Sequence, residues 1–267
     1  MQVYLENKFS KNRILHIIPS LSGGGAERVA LRVAEHQCEH FEVHLASWEI
    51  EKDTNLLPPG VIHHQLSKPT DGLIGLVKLI REVRQLFKLI QPQGVLSHLT
   101  YTNVISFLAA STIRHDIKTF GCHRTTGGYF PHPKLDPIVS MIYKRNNVIA
   151  ISESIRDFLM TCYRLNEVLL IPNPLELPER SYLSKSDSAD HFELIAIGRI
   201  ASVKNYQFML EVVSKLPTEY LLNIVGGGDD TILRAEAIRL GIDQRVRFLG
   251  SMPFHEVARL INESHAF

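Results

Sequence analysis

The 267-residue sequence contains only three cysteines, and their spacing is wide and irregular. They are Cys38, Cys122 and Cys162. An odd number of cysteines without a CxxC pair argues against a disulfide framework and a thiolate metal site, and it fits a reducing compartment. No apolar run reaches the roughly 20 residues that cross a bilayer, and the polar start, MQVYLENKFSKNR, lacks the apolar centre of a signal peptide. The sequence therefore predicts a cytoplasmic protein that is neither secreted nor integral to a membrane.

An excess of charge of one sign is absent as well. The chain has 29 Lys and Arg against 28 Asp and Glu, so no global basic field attracts nucleic acid, and any electropositive site must be local. Apolar residues, in contrast, make up 45% of the chain, enough for a sizeable core. Because the length exceeds the usual domain size of about 100 to 150 residues, two domains are expected.

Short apolar runs alternate with helix-length amphipathic stretches along the whole chain. This alternation is typical of a parallel sheet with helices on both faces, so the sequence predicts an α/β fold. Strands are predicted at 13–19, 41–47, 61–66, 94–98, 117–122, 147–151, 168–172, 193–198, 220–225 and 246–249. Helices are predicted at 26–38, 72–90, 102–113, 134–144, 153–164, 204–215, 229–240 and 254–263.

The composition changes over residues 173–191, which begin with prolines and continue as a polar stretch rich in Ser and Asp. Such a change predicts a domain boundary. We therefore expect a first domain at 1–176, a linker at 177–191 and a second domain at 192–267. The last residues, SHAF, look like the start of a fourth strand, so we expect the second domain to be incomplete and the chain to be truncated. Without that strand, the first strand of the second domain would be an unpaired apolar edge.

Residues 22–28, SGGGAER, come directly after the first predicted strand and open the first predicted helix. Glycines allow a tight turn and the close approach of a ligand, and a helix N-terminus offers free N–H groups to an anion. The spacing is not GxGxxG, so a dinucleotide fingerprint is not indicated. Gly23, Gly24 and Gly25 are candidate binding residues, with a purely structural turn as the alternative.

A second pattern lies in the second predicted domain. Gly198 and Arg199 end its first strand, and Lys204 follows in the loop. Arg offers a planar fork for phosphate oxygens and Lys a mobile point charge. Gly226 and Gly227 end the next strand, and adjacent strand ends meet at one crevice of an α/β sheet. This pattern indicates a site for a phosphorylated ligand; a solvated pair of surface cations is the alternative.

Two histidines, His98 and His123, each fall at the end of a predicted strand. Such a histidine can act near neutral pH as an acid, a base or a hydrogen-bond donor. A lone histidine is more often structural, which is the interpretation favoured for His98. His123 is followed by Arg124 and a flexible TTGG segment and is the better candidate. The HxxEH pattern at 36–40 lacks a third ligand, so no metal site is predicted.

Residues 72–90 have the periodicity of an amphipathic helix. Four cations share one face of this helix: Lys78, Arg81, Arg84 and Lys88. The simpler interpretation is a helix packed on the sheet with a solvated polar face. The functional alternative is peripheral contact with an anionic membrane, to which each cation near the surface contributes about 1 kcal/mol.

Six segments follow one another along nearly the whole chain: GGGAER, VIAISESIRDFL, VLLIPNP, IGRIASVKN, IVGGG and VRFLG. In this order they resemble the retaining family-4 glycosyltransferases of the GT-B fold, which typically make bacterial lipopolysaccharide, capsule or exopolysaccharide. The resemblance implies two Rossmann-like domains that face a cleft, with the acceptor mainly on the first and a nucleotide-sugar on the second. It implies transfer of a sugar from a nucleoside-diphosphate-sugar to a lipid-linked saccharide acceptor at the inner membrane face.

The resemblance also implies roles for the candidate residues. His123 corresponds to the cleft histidine that contacts the transferred sugar, with Arg124 beside it, and Asn173 matches the strand-end Pro-Asn element at the hinge. Arg199 and Lys204 would neutralise charge on the leaving nucleoside diphosphate. A UDP- or GDP-linked sugar would be the substrate, and no cofactor or metal ion is expected. The remaining candidates are backbone contacts: Gly23, Gly24 and Gly25 near the donor diphosphate or the acceptor hydroxyl, and Gly226 and Gly227 on the nucleotide side.

The chain departs from this family in one respect. The Glu-x7-Glu motif, which holds the donor ribose and sugar, should follow a segment such as SHAF, where the sequence ends. The resemblance therefore predicts weak donor binding and little or no turnover. A non-catalytic remnant that acts as a membrane- or partner-binding module is the alternative function. A nucleotide-sugar epimerase ranks lower, because it needs carboxylates in the cleft that the sequence does not supply.

Overall fold

The computed structural model describes residues 12–21, 24–50, 57–70, 72–113, 117–126, 135–174 and 191–267. Contacts divide the chain into two units, Met1–Leu175 and Glu176–Phe267. The predicted linker lies outside the described residues except for its last position, so its boundaries stay predictions. Each unit contains a parallel sheet with helices, which confirms the predicted α/β class.

The first unit follows the predicted alternation of strands and helices. Its strands are β1 (Arg13–Ile17), β2 (Ser20–Leu21), β3 (Glu42–Ser47), β4 (Glu49–Ile50), β5 (Val61–Gln65), β6 (Gly94–His98), β7 (Lys118–His123), β8 (Asn147–Ala150) and β9 (Leu169–Leu170). Its helices are α1 (Gly25–Gln37), α2 (Gly72–Ile90), α3 (Thr100–Ala110), α4 (Asp136–Tyr143) and α5 (Glu153–Thr161). The sequence pattern missed β2 and β4, because a strand of two residues carries no periodicity.

The large sheet of the first unit has the order β5-β3-β1-β6-β7-β8-β9. All of its pairs are parallel. The order reverses between β1 and β6, and ligands of open α/β sheets bind outside the carboxyl ends of the strands at such a reversal. The residues that end β1, β6 and β7 therefore lie at the edge where a ligand is expected.

Side chains of β1 alternate between two environments. Leu15 and Ile17 are fully buried in the core cluster that contains Val83 and Phe87 of α2. Because successive side chains of a strand point to opposite faces, His16 points the other way, towards α1. A polar residue thus lies inside an otherwise apolar strand, and it needs hydrogen-bond partners there.

The second unit consists of β10 (Phe192–Ile197), α6 (Tyr206–Lys215), β11 (Tyr220–Val225), α7 (Thr231–Arg239), β12 (Val246–Gly250) and α8 (Phe254–Glu263). Its three strands are parallel in the order β10-β11-β12. The core between the sheet and α6 and α7 contains Leu210, Ile224 and Ala237. These elements match the predicted ones to within a few residues.

The outer edge of β10 is paired with the SHAF segment. Ala266 forms a parallel bridge with Leu194, and its carbonyl accepts from the Ile195 amide over 2.9 Å. The His265 amide donates to the Glu193 carbonyl over 2.7 Å. This pairing confirms the prediction that SHAF starts a fourth strand, and it corrects the expectation of an unpaired edge. The strand order therefore also reverses in this unit, next to β10.

The solvent face of α2 differs from the prediction at one position. Lys78, Arg81 and Lys88 are exposed, but Arg84 is only half-exposed, and its Nε is buried without a hydrogen-bond partner among the described residues. The predicted face of four cations is therefore a face of three. Of the helices in the part of the chain that the structure describes, none is long and apolar enough to cross a membrane.

Candidate functional site

The glycine-rich loop is fixed by a carboxylate of its own motif. Glu27 accepts hydrogen bonds from the Ser20 hydroxyl and from the Gly24 amide, which ties the loop to the first turn of α1. The Gly24 amide is thus occupied within the protein. The amide of Gly25, in the first turn of α1, has no intrahelical partner and stays a candidate ligand contact, whereas Gly23 lies outside the described residues.

A chain of hydrogen bonds crosses the first sheet where the strand order reverses. Gln37 Oε1, at the end of α1, lies 2.7 Å from His16 Nε2. His16 Nδ1 lies 3.2 Å from Nε2 of His98, which ends β6. Arg124, directly after β7, donates to His98 Nδ1 over 3.1 Å and to Asn173 Oδ1 over 2.7 Å. The structure thus brings the predicted residues Arg124 and Asn173 into direct contact.

The direction of these hydrogen bonds follows from the donors available. A guanidinium has only donors, so His98 Nδ1 accepts from Arg124, and the neutral ring carries its proton on Nε2. That proton is donated to His16 Nδ1, so His16 carries its own proton on Nε2 and donates it to Gln37. The three bonds therefore run in one direction, and they are satisfied together only when both imidazoles are neutral.

Burial keeps these two imidazoles neutral. His16 is 0% and His98 is 1% exposed, and the rings stack with their centroids 5.5 Å apart. Loss of water lowers the pKa of His16 to about 4, against the opposing effect of the Gln37 hydrogen bond. Burial also lowers the pKa of His98 well below its usual value, and the charges of His16 and Arg124 add to this effect.

Acid is expected to destabilise the chain through His16. A histidine with a lowered pKa binds fewer protons folded than unfolded, so its contribution to stability is complete above about pH 6.5 and is lost towards about pH 4. For His16 alone the loss in the free energy of unfolding reaches about 3 kcal/mol. Urea unfolding at about pH 7 and about pH 4.5, followed by Trp48 fluorescence, measures it. Equal unfolding free energies at both pH values would contradict this expectation, and an exposed-site control, His40→Gln, should behave as the unchanged chain does.

His123, at the end of β7, belongs to a second buried network. Its Nδ1 lies 3.3 Å from Thr100 Oγ1 and 3.4 Å from the Tyr143 hydroxyl. Asn103 donates to the same Tyr143 oxygen over 3.0 Å. His123 is 0% exposed, and its Nε2 has no hydrogen-bond partner among the described residues. Burial lowers the pKa of His123 to about 4, so the ring is neutral.

A second contact acts on this ring. A hydrogen bond with the Thr125 backbone raises the pKa of His123 against the larger effect of burial. Burial raises the pKa of Tyr143, so the phenol keeps its proton. Both groups are therefore neutral at the end of β7.

Arg199 and Lys204 lie at the carboxyl end of β10, where the second sheet reverses. Lys204 ends a short 3-10 turn, and its side chain passes close to Gly198: a Cβ on that glycine would lie 2.9 Å from Lys204 Cε. Both cationic side chains are exposed. Neither has an ion pair or a hydrogen bond with another described residue.

The glycines at the ends of β10 and β11 allow two backbones to touch. Gly226 has φ +152°, and a Cβ there would lie 1.9 Å from the Gly198 carbonyl oxygen. Its amide donates to the Gly250 carbonyl over 2.8 Å. Gly227 is less constrained, because its Cβ would meet only the Ser251 hydroxyl, at 2.6 Å. Gly198 and Gly226 therefore have a structural role, and the predicted ligand contacts of these glycines stay predictions.

A cavity of about 520 Å³ lies elsewhere, between β5 and α2. His63, His64, Glu82 and Leu89 are among its lining residues, and none of the predicted site residues lines it. Within the described ranges, no group of three His, Cys, Asp or Glu side chains could hold a metal ion.

Sequence reasoning missed five residues of these networks: His16, Gln37, Thr100, Asn103 and Tyr143. His16 had a detectable signal, since it interrupts the apolar run RILHIIP. The contact between His16 and His98 had no signal in the sequence. The two residues are 82 positions apart, and only the sheet order makes their strands neighbours. The favoured interpretation of His98 as a structural residue agrees with its burial, although its ring also contacts Arg124.

Two family models match the chain. The model described as Glycosyltransferase Family 4 matches residues 23–178, more than half of the chain. The model described as Glycosyl transferases group 1 matches residues 183–267. No curated protein matches the chain.

Several solved structures share the fold. Anabaena Alr3699/HepE in complex with UDP and glucose is 15% identical, with 95% of this chain and 72% of that chain covered and a TM-score of 0.72. The lipopolysaccharide outer core galactosyltransferase WaaB, in its apo form, is 17% identical, with 94% and 72% covered and a TM-score of 0.66. A glycosyltransferase from Rickettsia africae is 16% identical, with 96% and 72% covered and a TM-score of 0.67. At these identities the likeness shows the fold, GT-B, and the family model shows that the chain belongs to Glycosyltransferase Family 4.

Proposed function

We propose that the chain transfers a sugar, with retention of configuration, from a nucleoside-diphosphate-sugar to a lipid-linked saccharide acceptor in the synthesis of lipopolysaccharide, capsule or exopolysaccharide. The observation that carries the proposal is the pair Arg199 and Lys204, two exposed cations at the end of β10 where the strand order reverses. Two neighbours support it by their descriptions: HepE was solved with UDP and glucose, and WaaB is a lipopolysaccharide galactosyltransferase.

The two cations suit the charge that sugar transfer creates. The bond from the anomeric carbon to the diphosphate oxygen breaks while the acceptor hydroxyl oxygen bonds to that carbon, so negative charge gathers on the diphosphate. The proton of the acceptor hydroxyl passes to the leaving diphosphate oxygen. Arg199 and Lys204 stabilise this charge, and such electrostatic stabilisation is usually the largest contribution to catalysis. Because two cations supply this neutralisation, we propose that transfer needs no metal ion or other cofactor.

The first unit supplies neutral and polar contacts for the sugar and the acceptor. Nε2 of His123 is a buried ring nitrogen without a hydrogen-bond partner among the described residues, and it suits a sugar hydroxyl, which can donate or accept. Arg124, which follows β7, and Asn173, which follows β9, hold each other at the carboxyl edge of the first sheet. The Gly25 amide, at the start of α1, offers a further donor. We assign His123 to the transferred sugar and the other three residues to donor or acceptor contacts.

The nucleotide specificity can be tested by calorimetric titration with UDP, GDP and AMP. The proposal predicts that UDP or GDP binds more tightly than AMP, because only a diphosphate places charge on both cations. Equal affinity for all three, or no affinity for any, would contradict a diphosphate site in the second unit.

We further propose that α2 holds the protein at the cytoplasmic face of an anionic membrane, where a lipid-linked acceptor lies. The exposed face of α2 carries apolar side chains as well as cations: Leu73 is 74% and Ile74 is 85% exposed, close to Lys78 and Arg81. An exposed helix face with both kinds of side chain is typical of helices that lie in the membrane interface. This observation also favours the second candidate function, a membrane-binding module without catalysis.

Neutralising the cations of α2 is expected to weaken binding to anionic vesicles. Three cations near the surface contribute about 1 kcal/mol each, so Lys78→Gln, Arg81→Gln and Lys88→Gln together should lower the affinity about 100-fold. Co-sedimentation with phosphatidylcholine vesicles, with and without phosphatidylglycerol, measures the effect. Lys118→Gln, Lys144→Gln and Arg145→Gln together, which remove three exposed cations outside α2, are the matched control. Unchanged sedimentation of the triple variant with phosphatidylglycerol would contradict membrane attachment through α2.

A further inference from the structure

Arg124 is a partly buried cation that the described residues do not neutralise. Its two terminal nitrogens donate to His98 Nδ1 and Asn173 Oδ1, both neutral acceptors. Its Nε is buried and has no hydrogen-bond partner there. The nearby Cys122 thiol is neutral, because burial raises its pKa to about 11. A buried charge in this situation is normally paired with an opposite charge or with a ligand.

The hydrogen-bond chain behind Arg124 holds the guanidinium without neutralising it. The chain runs from Arg124 through His98 and His16 and ends at Gln37, an uncharged amide. A carboxylate at any of these positions would form an ion pair with the guanidinium or raise the pKa of its neighbour. The neutral chain instead fixes the plane of the guanidinium and leaves its full positive charge for a group bound outside.

The position of Arg124 is that of a ligand-binding residue. It follows β7, and its partner His98 ends β6, so both lie at the carboxyl edge of the sheet beside the strand reversal. Planar guanidinium groups bind phosphate and carboxylate oxygens in preference to neutral groups.

We infer that Arg124 binds an oxyanion, a phosphate or carboxylate group of the acceptor, and that His98 is a positioning residue that aims the guanidinium at it. The inference rests on the proposed function only in naming the acceptor as the source of the anion, because the first unit is the acceptor side. The oxyanion site itself requires neither a donor nor turnover.

The binding of inorganic phosphate tests the site. The full chain should carry Arg199→Ala and Lys204→Ala, so that the second unit contributes no phosphate site. Chemical shifts of the Gly121 to Thr125 backbone amides, followed during a phosphate titration, report binding next to Arg124. Arg124→Gln should weaken phosphate binding at least 10-fold, since a charge-assisted hydrogen bond contributes about 1.5–3 kcal/mol. Arg145→Gln, which removes an exposed cation of the same unit, should change it less than about twofold.

Two substitutions of His98 distinguish the roles of its two ring nitrogens. Asparagine places an oxygen near the position of Nδ1, and glutamine places an amide nitrogen near that of Nε2. His98→Asn should therefore keep an acceptor for Arg124 and bind phosphate within about threefold of the unchanged chain, while His98→Gln should bind it about 10-fold more weakly. Equal losses in both variants would overturn the positioning role.

The source of the anion is tested by ligand choice. Glucuronate and glucose 1-phosphate carry the two oxyanions, and glucose is the neutral control. Binding of either anionic ligand, lost in Arg124→Gln, supports the inference and shows which oxyanion is preferred. The inference of an oxyanion site at Arg124 would be overturned if Arg124→Gln bound all three anions, phosphate, glucuronate and glucose 1-phosphate, as tightly as the unchanged chain does. Failure of sugar transfer alone would count against the proposed function and not against this site.

Discussion

Replacing Arg199 and Lys204 together by alanine is expected to weaken the binding of UDP or GDP by a factor of about 100 to 20,000. Both side chains lie exposed at the end of β10 without an ion-pair partner among the described residues, so both can pair with the diphosphate of a bound nucleotide. Each charge-assisted hydrogen bond contributes about 1.5–3 kcal/mol, and two of them give this factor. Calorimetric titration measures it directly.

The control for this double variant must remove the same charge elsewhere. Lys144→Ala with Lys215→Ala does so, because both lysines are exposed and lie at the carboxyl ends of the helices α4 and α6 rather than at a strand end. We expect this control to bind the nucleotide within about twofold of the unchanged chain, as surface charges at a distance are screened by salt. Equal losses in the two double variants would mean that net charge, and not a built site, attracts the nucleotide.

Substituting Gly226 by alanine is expected to destabilise the second unit by about 3 kcal/mol or more. The new Cβ would lie 1.9 Å from the Gly198 oxygen and 2.5 Å from its carbonyl carbon, and these are backbone atoms that no rotamer change can move. The φ of +152° adds strain for any L side chain. Relief requires β10 and β11 to separate at the end that carries Arg199, so nucleotide binding should fall as well.

Gly241→Ala is the matched control for this substitution. Gly241 also has positive φ, +68°, but a Cβ there meets nothing within 4 Å, so only backbone strain of about 1 kcal/mol is expected. Urea unfolding of both variants measures the difference. If Gly226→Ala unfolds at the same denaturant concentration as Gly241→Ala, the close backbone contact at the end of β10 is not as the structure describes it.

Much of the fold could be predicted from the sequence, because each buried strand of a parallel sheet is a separate, short apolar run in the sequence. The strands near 94–98 and 193–198 were predicted to within a residue or two, since each is buried on both faces. The place of the site was predictable for a related reason: residues that end parallel strands share one edge. Arg124 and Asn173, 49 positions apart, meet at that edge as this rule suggests.

Periodicity was a weaker guide to the exact exposed face of a helix. It places Lys78, Arg81 and Lys88 in one stripe, and the structure exposes all three. Arg84 lies at the margin of the same stripe and is half-buried, because the width of a buried face depends on the neighbouring elements and not on the angle alone. The exposure of Ile74 likewise depends on which elements lie nearby.

The hydrogen-bond networks were the part that the sequence could not supply. The partner of His16 is decided by the strand order, and the surroundings of His123 include three side chains from α3 and α4. For Gly226 and Gly227 the sequence suggested a ligand contact. The structure shows instead that Gly226 allows the backbones of two strands to lie in close contact.

Sugar transfer itself is measured most directly under single-turnover conditions, with the protein in excess over a panel of labelled UDP- and GDP-sugars and lipid-linked saccharide acceptors. A family-4 transferase should yield an acceptor that is heavier by one sugar, with the donor's anomeric configuration, and the yield should disappear in the Arg199→Ala, Lys204→Ala variant. If UDP or GDP binds and yet no donor gives a product, the chain is a binding module and not a transferase.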